Sequence, residues 1–96
     1  MKLRLTEPAK DDLLDIWQYL APKDPDAAER LMRMFHEKFE LLLKFPNIGK
    51  ERHDLVIGIR AFPAGKYLII YQPSEDMLEI VRVRHGSTNL KKLFDI

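Results

Sequence analysis

The stretch LEIVRVRHG, residues 78–86, combines the pattern of a β-strand with a concentration of basic side chains. Apolar and polar residues alternate along it, as they do in a strand that packs on one face only. Strict alternation divides its residues into two faces, with Ile80, Arg82 and Arg84 on one and Glu79, Val81, Val83 and His85 on the other. Because two unpaired arginines are costly to bury, the arginine face is expected to meet solvent or an anionic partner.

Two earlier segments have the same period of two residues. They are LVIGIRAF at 55–62 and KYLIIYQ at 66–72, and the turn-forming sequences PAG and PSED separate the three segments. Tight turns between short alternating segments are typical of an antiparallel meander. The sequence therefore predicts a three-stranded meander that ends in the basic strand.

A short alternating segment, KLRL at 2–5, precedes a first helical segment. Thr6 is placed to cap this helix, Pro8 lies in its first turn, and the apolar periodicity continues to about Leu20. Its polar side carries a group of charged and amide residues, Lys10, Asp11, Asp12, Asp15 and Gln18. These residues are expected to be exposed, and the aspartates are explained by the stabilisation that acidic groups give near a helix N-terminus.

A second helical segment begins with Asp24 as its cap and Pro25 as its first residue, and Pro46 ends it. The three residues APK connect the two helices, so we expect an antiparallel hairpin that covers one face of the sheet. The tail STNLKKLFDI has apolar residues at helical spacing, which fits either a short docked helix or a segment that orders only on a partner.

The predicted fold class is α+β, within a single domain that spans residues 1–96. Its elements follow the order strand, antiparallel helical hairpin, three-stranded antiparallel meander and short C-terminal tail. The composition has 46% hydrophobic and 32% charged residues, as in an ordinary globular domain. We therefore expect a chain that folds around one core.

The composition also excludes several classes of function. The chain has no cysteine, which excludes disulfides, thiolate metal sites and cysteine nucleophiles. Its N-terminus lacks the apolar stretch of a signal peptide, and no apolar run is long enough to cross a bilayer, so a cytoplasmic location without membrane contact is expected. The net charge of +1 is too small for nucleic-acid binding by overall electrostatics, which leaves only a local site.

The arginines are the strongest candidates for a binding site. Arg60 lies on a neighbouring predicted strand and is expected to join Arg82 and Arg84 in a cluster. A guanidinium presents a planar set of donors suited to phosphate or carboxylate, so this cluster predicts a contact surface for RNA, DNA or an acidic peptide. A solvent-exposed strand with ion pairs to Glu79 or Asp76 is the alternative that the sequence leaves open.

His85 is the candidate for acid–base chemistry, but the sequence indicates no second group to act with it. At the end of a strand, a histidine is more often a hydrogen-bonding anchor for the following loop, here GST at 86–88. His36 and His53 lie far from it in the sequence, and the three histidines lack the spacing of a metal site. Because the glycines are scattered, no nucleotide-binding loop is predicted either, and no metal or cofactor is expected.

The order of elements, together with five phrases, resembles the ParE/RelE superfamily of type II toxin–antitoxin toxins. The phrases are EPAKDDLLDIWQYL, DPDAAERL, FPNIGKERHDL, GIRAFPAGKYLIIYQ and LEIVRVRHGSTNL, and they extend over nearly the whole chain. The resemblance implies the same α+β fold and a toxin that a cognate antitoxin neutralises.

Within this superfamily the residues favour the ParE-like branch. Ribosome-dependent ribonucleases of the RelE branch typically have an arginine before the aliphatic residues of the central strand, in a phrase like YRLVY, whereas this chain has YLIIY with Leu68 at that place. The difference removes a cation that would stabilise charge on the scissile phosphate. Arg60, Arg82 and His85 match recurrent positions of the family, and His85 also falls near a catalytic histidine of some ribonuclease relatives.

Resemblance to the ParE-like branch implies a protein that inhibits DNA gyrase, has no catalytic centre of its own and forms a hetero-oligomer with its antitoxin. Arg60, Arg82, Arg84 and His85 are then the residues expected to bind the target or the antitoxin. The alternative is a RelE-like endonuclease that cuts messenger RNA on the ribosome, with His85 as acid or base and Arg60 and Arg82 on phosphate. A non-toxic relative kept as an interaction module is a third hypothesis.

Overall fold

The computed structural model describes all residues from 1 to 96 and contains a five-stranded sheet and three helices. In chain order the elements are β1 (Lys2–Leu5), α1 (Glu7–Leu20), α2 (Pro25–Lys44), β2 (Lys50–Glu51), β3 (Arg60–Ala64), β4 (Tyr67–Pro73), β5 (Met77–His85) and α3 (Leu90–Leu93). The spatial order of the strands is β1-β5-β4-β3-β2. β1 runs parallel to β5, and the other neighbouring strands are antiparallel. The α+β class, the helical hairpin and the meander are confirmed.

The two long helices begin at the residues that the sequence indicated. The Thr6 hydroxyl accepts a hydrogen bond from the Ala9 N–H at 3.1 Å, and the Asp24 carboxylate accepts one from the Ala27 N–H at 3.1 Å. Thr6 also donates its hydroxyl hydrogen to the Val81 carbonyl at 2.7 Å. A single side chain therefore caps α1 and attaches the start of that helix to β5.

The sheet carries a core on each face. The larger core lies under the helical hairpin and contains buried side chains from α1, α2, β3, β4 and β5. The smaller core contains the buried residues Leu55, Ile59, Ile70 and Leu90. Leu90 belongs to α3, so the tail forms the short docked helix that was one of the two predicted outcomes. None of the helices combines the length and the apolar composition needed to cross a membrane.

β5 departs from the regular alternation that the sequence predicted. Neighbouring residues of β4 pair with Ile80 and Arg82, so Val81 is an extra residue that forms a bulge. Ile80 and Val83, which strict alternation placed on opposite faces, are both buried in the larger core. The prediction that Ile80 shares a face with Arg82 and Arg84 is therefore wrong, because one extra residue exchanges the faces beyond it. After the bulge, Arg82 and Arg84 still alternate with Val83 and His85.

The first strand of the meander is shorter than predicted, since residues 55–58 form turns and β3 begins only at Arg60. Gly58 has a φ of 88°, which interrupts an extended chain. The loop is closed by a hydrogen bond from the Arg52 N–H to the Ile59 carbonyl at 2.9 Å. The adjacent edge strand β2 was not predicted, because two residues are too few to show a period.

Tyr71 connects β4 to the segment that follows α2. Its hydroxyl donates to the Pro46 carbonyl at 2.7 Å and accepts from the Gly49 N–H at 2.9 Å, and its side chain is fully buried. A Cβ at Gly49 would lie 2.5 Å from the hydroxyl oxygen, so this close approach requires glycine. Burial raises the pKa of Tyr71 above its ordinary value, so the hydroxyl remains a donor well beyond neutral pH.

We expect Tyr71→Phe to lower the free energy of unfolding by about 1–3 kcal/mol, because the Pro46 carbonyl and the Gly49 N–H each lose a buried partner. Urea denaturation followed by circular dichroism measures the change. Tyr19→Phe is the matched control: Tyr19 is 70% exposed, so its hydroxyl should contribute less than about 0.5 kcal/mol. Equal effects of the two substitutions would contradict the role given to the Tyr71 hydroxyl.

Candidate functional site

Asp12 of α1 is the only buried charged residue of the protein, and its carboxylate contacts three consecutive residues of β5. It accepts hydrogen bonds from Nε and Nη2 of Arg82, both at 2.8 Å, and from the Val83 N–H at 3.0 Å. Nη1 of Arg84 approaches the same carboxylate at 3.4 Å. One side chain therefore joins the helical layer to the last strand of the sheet.

The position of Asp12 follows from the length of β1. The pairing of β1 with β5 ends at Leu5 and Ile80, so the edge of β5 has no adjacent strand beyond that point. Val83 is nevertheless buried, and its N–H needs an acceptor. The Asp12 carboxylate supplies it, and so takes the place of a further residue of β1.

The interpretation of Asp12 as an exposed residue that stabilises the helix dipole is wrong. Its local sequence is that of a polar helical face, where Asp11 and Asp15 are indeed exposed. Its partner Arg82 is 70 residues away in the chain, so no local pattern reveals the contact. Two arginines on one strand indicate that a counter-charge is needed. The sequence does not distinguish which of the three aspartates of the first helix supplies it.

Burial by itself would raise the pKa of Asp12. The hydrogen bonds from Arg82 and the Val83 N–H, reinforced by the charges of Arg82 and Arg84, outweigh burial and hold this pKa below its ordinary value. The hydrogen bond to Asp12 in turn raises the pKa of Arg82. Asp12 is therefore an anion throughout the neutral range, and Arg82 is a cation.

Arg84 and His85 line a groove of about 400 Å³ between α1, the start of β4 and the end of β5. The other lining side chains are the apolar Ile16, Leu20 and Val83, the hydroxyl-bearing Tyr19, Tyr67 and Thr88, and the carboxylates Asp12 and Asp15. The groove thus combines an apolar surface with one guanidinium, one imidazole and two carboxylates. No group of three or more His, Asp or Glu side chains in the protein is arranged to hold a metal ion.

His85 is exposed and is attached to the loop that follows β5. The Ser87 N–H donates to Nδ1 at 3.1 Å, and the Ser87 hydroxyl lies 2.8 Å from the same nitrogen. Because Nδ1 accepts from the backbone, Nε2 carries the hydrogen of the neutral ring. The ring also packs edge-on against Tyr67, with centroids 5.8 Å apart. These are the contacts expected of a loop anchor.

Arg60 lies apart from the other arginines. Its guanidinium donates to the carbonyls of Asn47 and Gly49 at 3.0 and 2.7 Å and to the Glu51 carboxylate at 3.0 Å. β4 separates its strand, β3, from β5. The predicted cluster of three arginines is therefore divided, with Arg60 stabilising the segment that leads into β2.

We expect Asp12→Asn to lower the free energy of unfolding by about 3 kcal/mol, because it removes the charged partner of the largely buried Arg82. Urea denaturation at neutral pH measures the change. Asp11→Asn, an exposed substitution at the preceding residue, is the matched control and should have an effect below about 0.5 kcal/mol. Similar values for the two variants would show that the Asp12 contacts do not stabilise the fold.

The unmodified protein and the Asp12→Asn variant also provide a test at low pH. Since the folded-state pKa of Asp12 is depressed, its stabilisation is fully present above the unfolded-state pKa of about 4 and is lost as the pH falls through the folded-state value. The stability difference between the unmodified protein and Asp12→Asn should be constant from neutral pH to about 5 and shrink below about 4. Asp54, whose pKa Arg52 lowers to about 2, is present in both proteins and cancels. A difference that persists to the lowest pH would contradict the depressed pKa.

Comparison with known proteins identifies relatives of this chain. Residues 3–90 match the family described as ParE toxin of type II toxin-antitoxin system, parDE. Toxin ParE1 of Caulobacter vibrioides is 30% identical over 89 residues, which cover 92% of each chain. Toxin ParE2 of Mycobacterium tuberculosis is 29% identical over 91 residues, which cover 92% of this chain and 84% of the relative.

Two solved structures share the fold. The chromosomal ParDE TA system from P. aeruginosa has a TM-score of 0.74 at 22% identity, over 88% of this chain and 95% of that one. The YoeB/ParE toxin from Agrobacterium tumefaciens has a TM-score of 0.65 at 18% identity, over 90% of this chain and 99% of that one. Because the family match extends over most of the chain and the architecture agrees with it, the chain belongs to the ParE toxin family of type II toxin–antitoxin systems.

Proposed function

We propose that this toxin acts on DNA gyrase, and that a cognate antitoxin silences it by forming a hetero-oligomer with it. Family membership supports the role of a toxin with an antitoxin partner. The observation that carries the choice of gyrase over messenger RNA is the aliphatic residue Leu68 on β4. Gyrase acts on DNA in the bacterial cytoplasm, so the proposed place of action is the cytoplasm.

Leu68 stands on the central strand where the resemblance to RelE-like ribonucleases calls for an arginine. It packs against the smaller core together with Leu93 and Phe94 of the tail. Its aliphatic side chain therefore supplies no cation to a scissile phosphate, although Lys50 and Arg52 line a cavity beside it. Arg84 pairs with Leu68 across the sheet, but the Asp12 carboxylate already neutralises part of its charge.

The charges around the groove support the same choice. Asp12 and Asp15 offset the charges of Arg82 and Arg84, so this region has no net positive charge when His85 is neutral. Binding of a nucleic-acid backbone depends on the neutralisation of several phosphates by basic residues. A balanced groove favours a protein partner over RNA.

The antitoxin is proposed to bind as a segment that becomes ordered on the toxin, along the helical hairpin and the edge of the sheet. β2 is two residues long and has no neighbour on its outer side, so it leaves backbone groups free at that edge. Free edge groups are the usual acceptors and donors for an added strand.

An endonuclease that cuts messenger RNA on the ribosome is the second candidate, and one observation favours it. Arg84, His85 and Tyr67 line the same groove, which brings a cation, an imidazole and a phenol together. The hydrogen bonds of His85 are both to Nδ1, so Nε2 is free to exchange a proton with a substrate.

Two reactions run in parallel with the purified protein distinguish the candidates. The first contains gyrase and supercoiled plasmid, and the second is a translation reaction in which the message is analysed for cleavage. We expect linear plasmid and intact message. Cut message with unchanged plasmid would reject the gyrase proposal in favour of the endonuclease.

The His85→Gln variant gives a second test between gyrase inhibition and cleavage of messenger RNA. An endonuclease that uses His85 as acid or base should lose about 100-fold or more in cleavage rate, whereas a gyrase poison should lose less than about tenfold. His36→Gln is the matched control, because His36 is exposed on α2 and forms an ion pair with Glu40, at 3.7 Å. A loss of plasmid cleavage of about 100-fold or more in His85→Gln would contradict the non-catalytic role proposed for His85.

A further inference from the structure

A second cavity, of about 390 Å³, lies on the face of the sheet opposite the helical hairpin. Its floor is formed by Ala61, Pro63 and Leu68 of β3 and β4. Pro63 pairs with Leu68, and Ala61 pairs with Ile70, which is buried in the smaller core, so the floor shares the face of that core. The cavity is therefore separate from the groove between α1 and β5, and its chemistry depends on other residues.

The wall of this cavity contains cationic donors that the fold leaves free. Lys50 of β2 is exposed and takes part in none of the ion pairs of the protein. Arg52, in the loop after β2, donates from Nε and Nη2 to the Asp54 carboxylate, both at 2.9 Å. A guanidinium has five N–H donors and an ammonium has three, so each of these two side chains can still offer three to a ligand.

The two carboxylates of the cavity are already paired with arginines. Glu51 accepts a hydrogen bond from Nη2 of Arg60 at 3.0 Å. The hydrogen bond from Arg52 lowers the pKa of Asp54 to about 2, and the charges of Arg52 and Lys91 contribute to this shift. Each carboxylate therefore has its own guanidinium, and neither neutralises the ammonium group of the cavity.

The charges around the cavity select the kind of ligand. Four cations exceed the two carboxylates by two positive charges when His53, whose Nε2 lies 3.4 Å from the Glu51 carboxylate, is neutral. The cations are Lys50, Arg52, Arg60 and Lys91. A phosphate monoester carries about −1.5 to −2 charges at neutral pH, and its terminal oxygens accept hydrogen bonds. A carboxylate or a backbone phosphodiester carries only one negative charge, so the monoester matches the excess best.

The size and the floor of the cavity indicate a small organic ligand. Its volume of about 390 Å³ falls within the range of small-ligand sites, about 300–1,000 Å³. Pro63 and Leu68 offer aliphatic surface to the organic part of such a ligand. The free donors of the lining belong to Lys50 and Arg52 alone, whereas the backbone of a nucleic-acid strand requires a row of basic residues.

We propose that this cavity binds a small organic phosphate of about the size of a mononucleotide. Its phosphate monoester contacts Lys50 and Arg52, and its organic part packs on the apolar floor. The ligand then joins β2 and the loop that follows it to β3 and β4, and so stabilises the folded protein. This site does not depend on gyrase being the target of the toxin.

Calorimetric titration of adenosine 5′-monophosphate into the purified protein tests the proposal. We expect a Kd of about 1 mM or lower, and no binding of adenosine, which lacks the phosphate. Lys50→Gln should weaken binding by about tenfold, because the phosphate loses a charged donor, and Lys50→Arg should keep most of the affinity. Lys2→Gln is the matched control, an exposed lysine on β1 at the opposite edge of the sheet, and should leave the affinity unchanged.

Thermal unfolding of each variant establishes that it is folded and gives a second measurement. The Tm of the unmodified protein and of Lys2→Gln should rise with the concentration of adenosine 5′-monophosphate, and that of Lys50→Gln should rise less. The proposal would be overturned if the folded, unmodified protein bound no nucleotide at millimolar concentration, if adenosine bound equally well, or if Lys2→Gln and Lys50→Gln had equal effects. Tighter binding of an oligonucleotide with a 5′-hydroxyl end, which contains only phosphodiesters, would overturn it in favour of a nucleic-acid strand.

Discussion

The arrangement of this toxin depends on one buried carboxylate. Asp12 joins α1 to β5 at the point where β1 ends, and it supplies both a counter-charge for Arg82 and an acceptor for the Val83 N–H. A buried carboxylate without partners would be expensive, and so would an unpaired buried backbone N–H. The carboxylate and the Val83 N–H therefore satisfy one another, and Arg82 supplies the charge that compensates the burial of Asp12.

The bulge at Val81 makes this arrangement compatible with a packed sheet. An uninterrupted strand would place Ile80 and Val83 on opposite faces, and one of them would lie outside the larger core. The extra residue brings both into that core. Thr6 donates to the carbonyl of Val81, so the residue that caps α1 also stabilises the irregular part of β5. The helix cap, the bulge and the Asp12 contacts therefore form a continuous connection between the two layers.

The division of the arginines bears on how the toxin meets its partners. Arg60 organises the segment before β2, and Arg82 neutralises Asp12. Only Arg84 combines a position in the groove with substantial exposure of its side chain. The three arginines therefore do not form one binding surface, although they occupy recurrent positions in the sequence. The loss of each arginine has different physical consequences.

The elements themselves were predictable because their signals are local. The caps at Thr6 and Asp24, the helical period of the hairpin and the period-two segments of the meander depend on neighbours a few residues apart. The family resemblance likewise depends on phrases read along the chain. The sequence by itself therefore determined the fold class, the order of its elements and the candidate residues on β5.

Only the tertiary structure decided which of those residues are free to bind. Asp11, Asp12 and Asp15 have the same chemistry and lie on the same helix, yet only Asp12 faces the edge of β5 left open by β1. The bulge changed the face of every residue after it relative to Ile80, and the docking of α3 added Leu93 and Phe94 to the smaller core against which Leu68 also packs. Burial, pairing and exposure depend on contacts between distant parts of the chain, which a local sequence pattern does not contain.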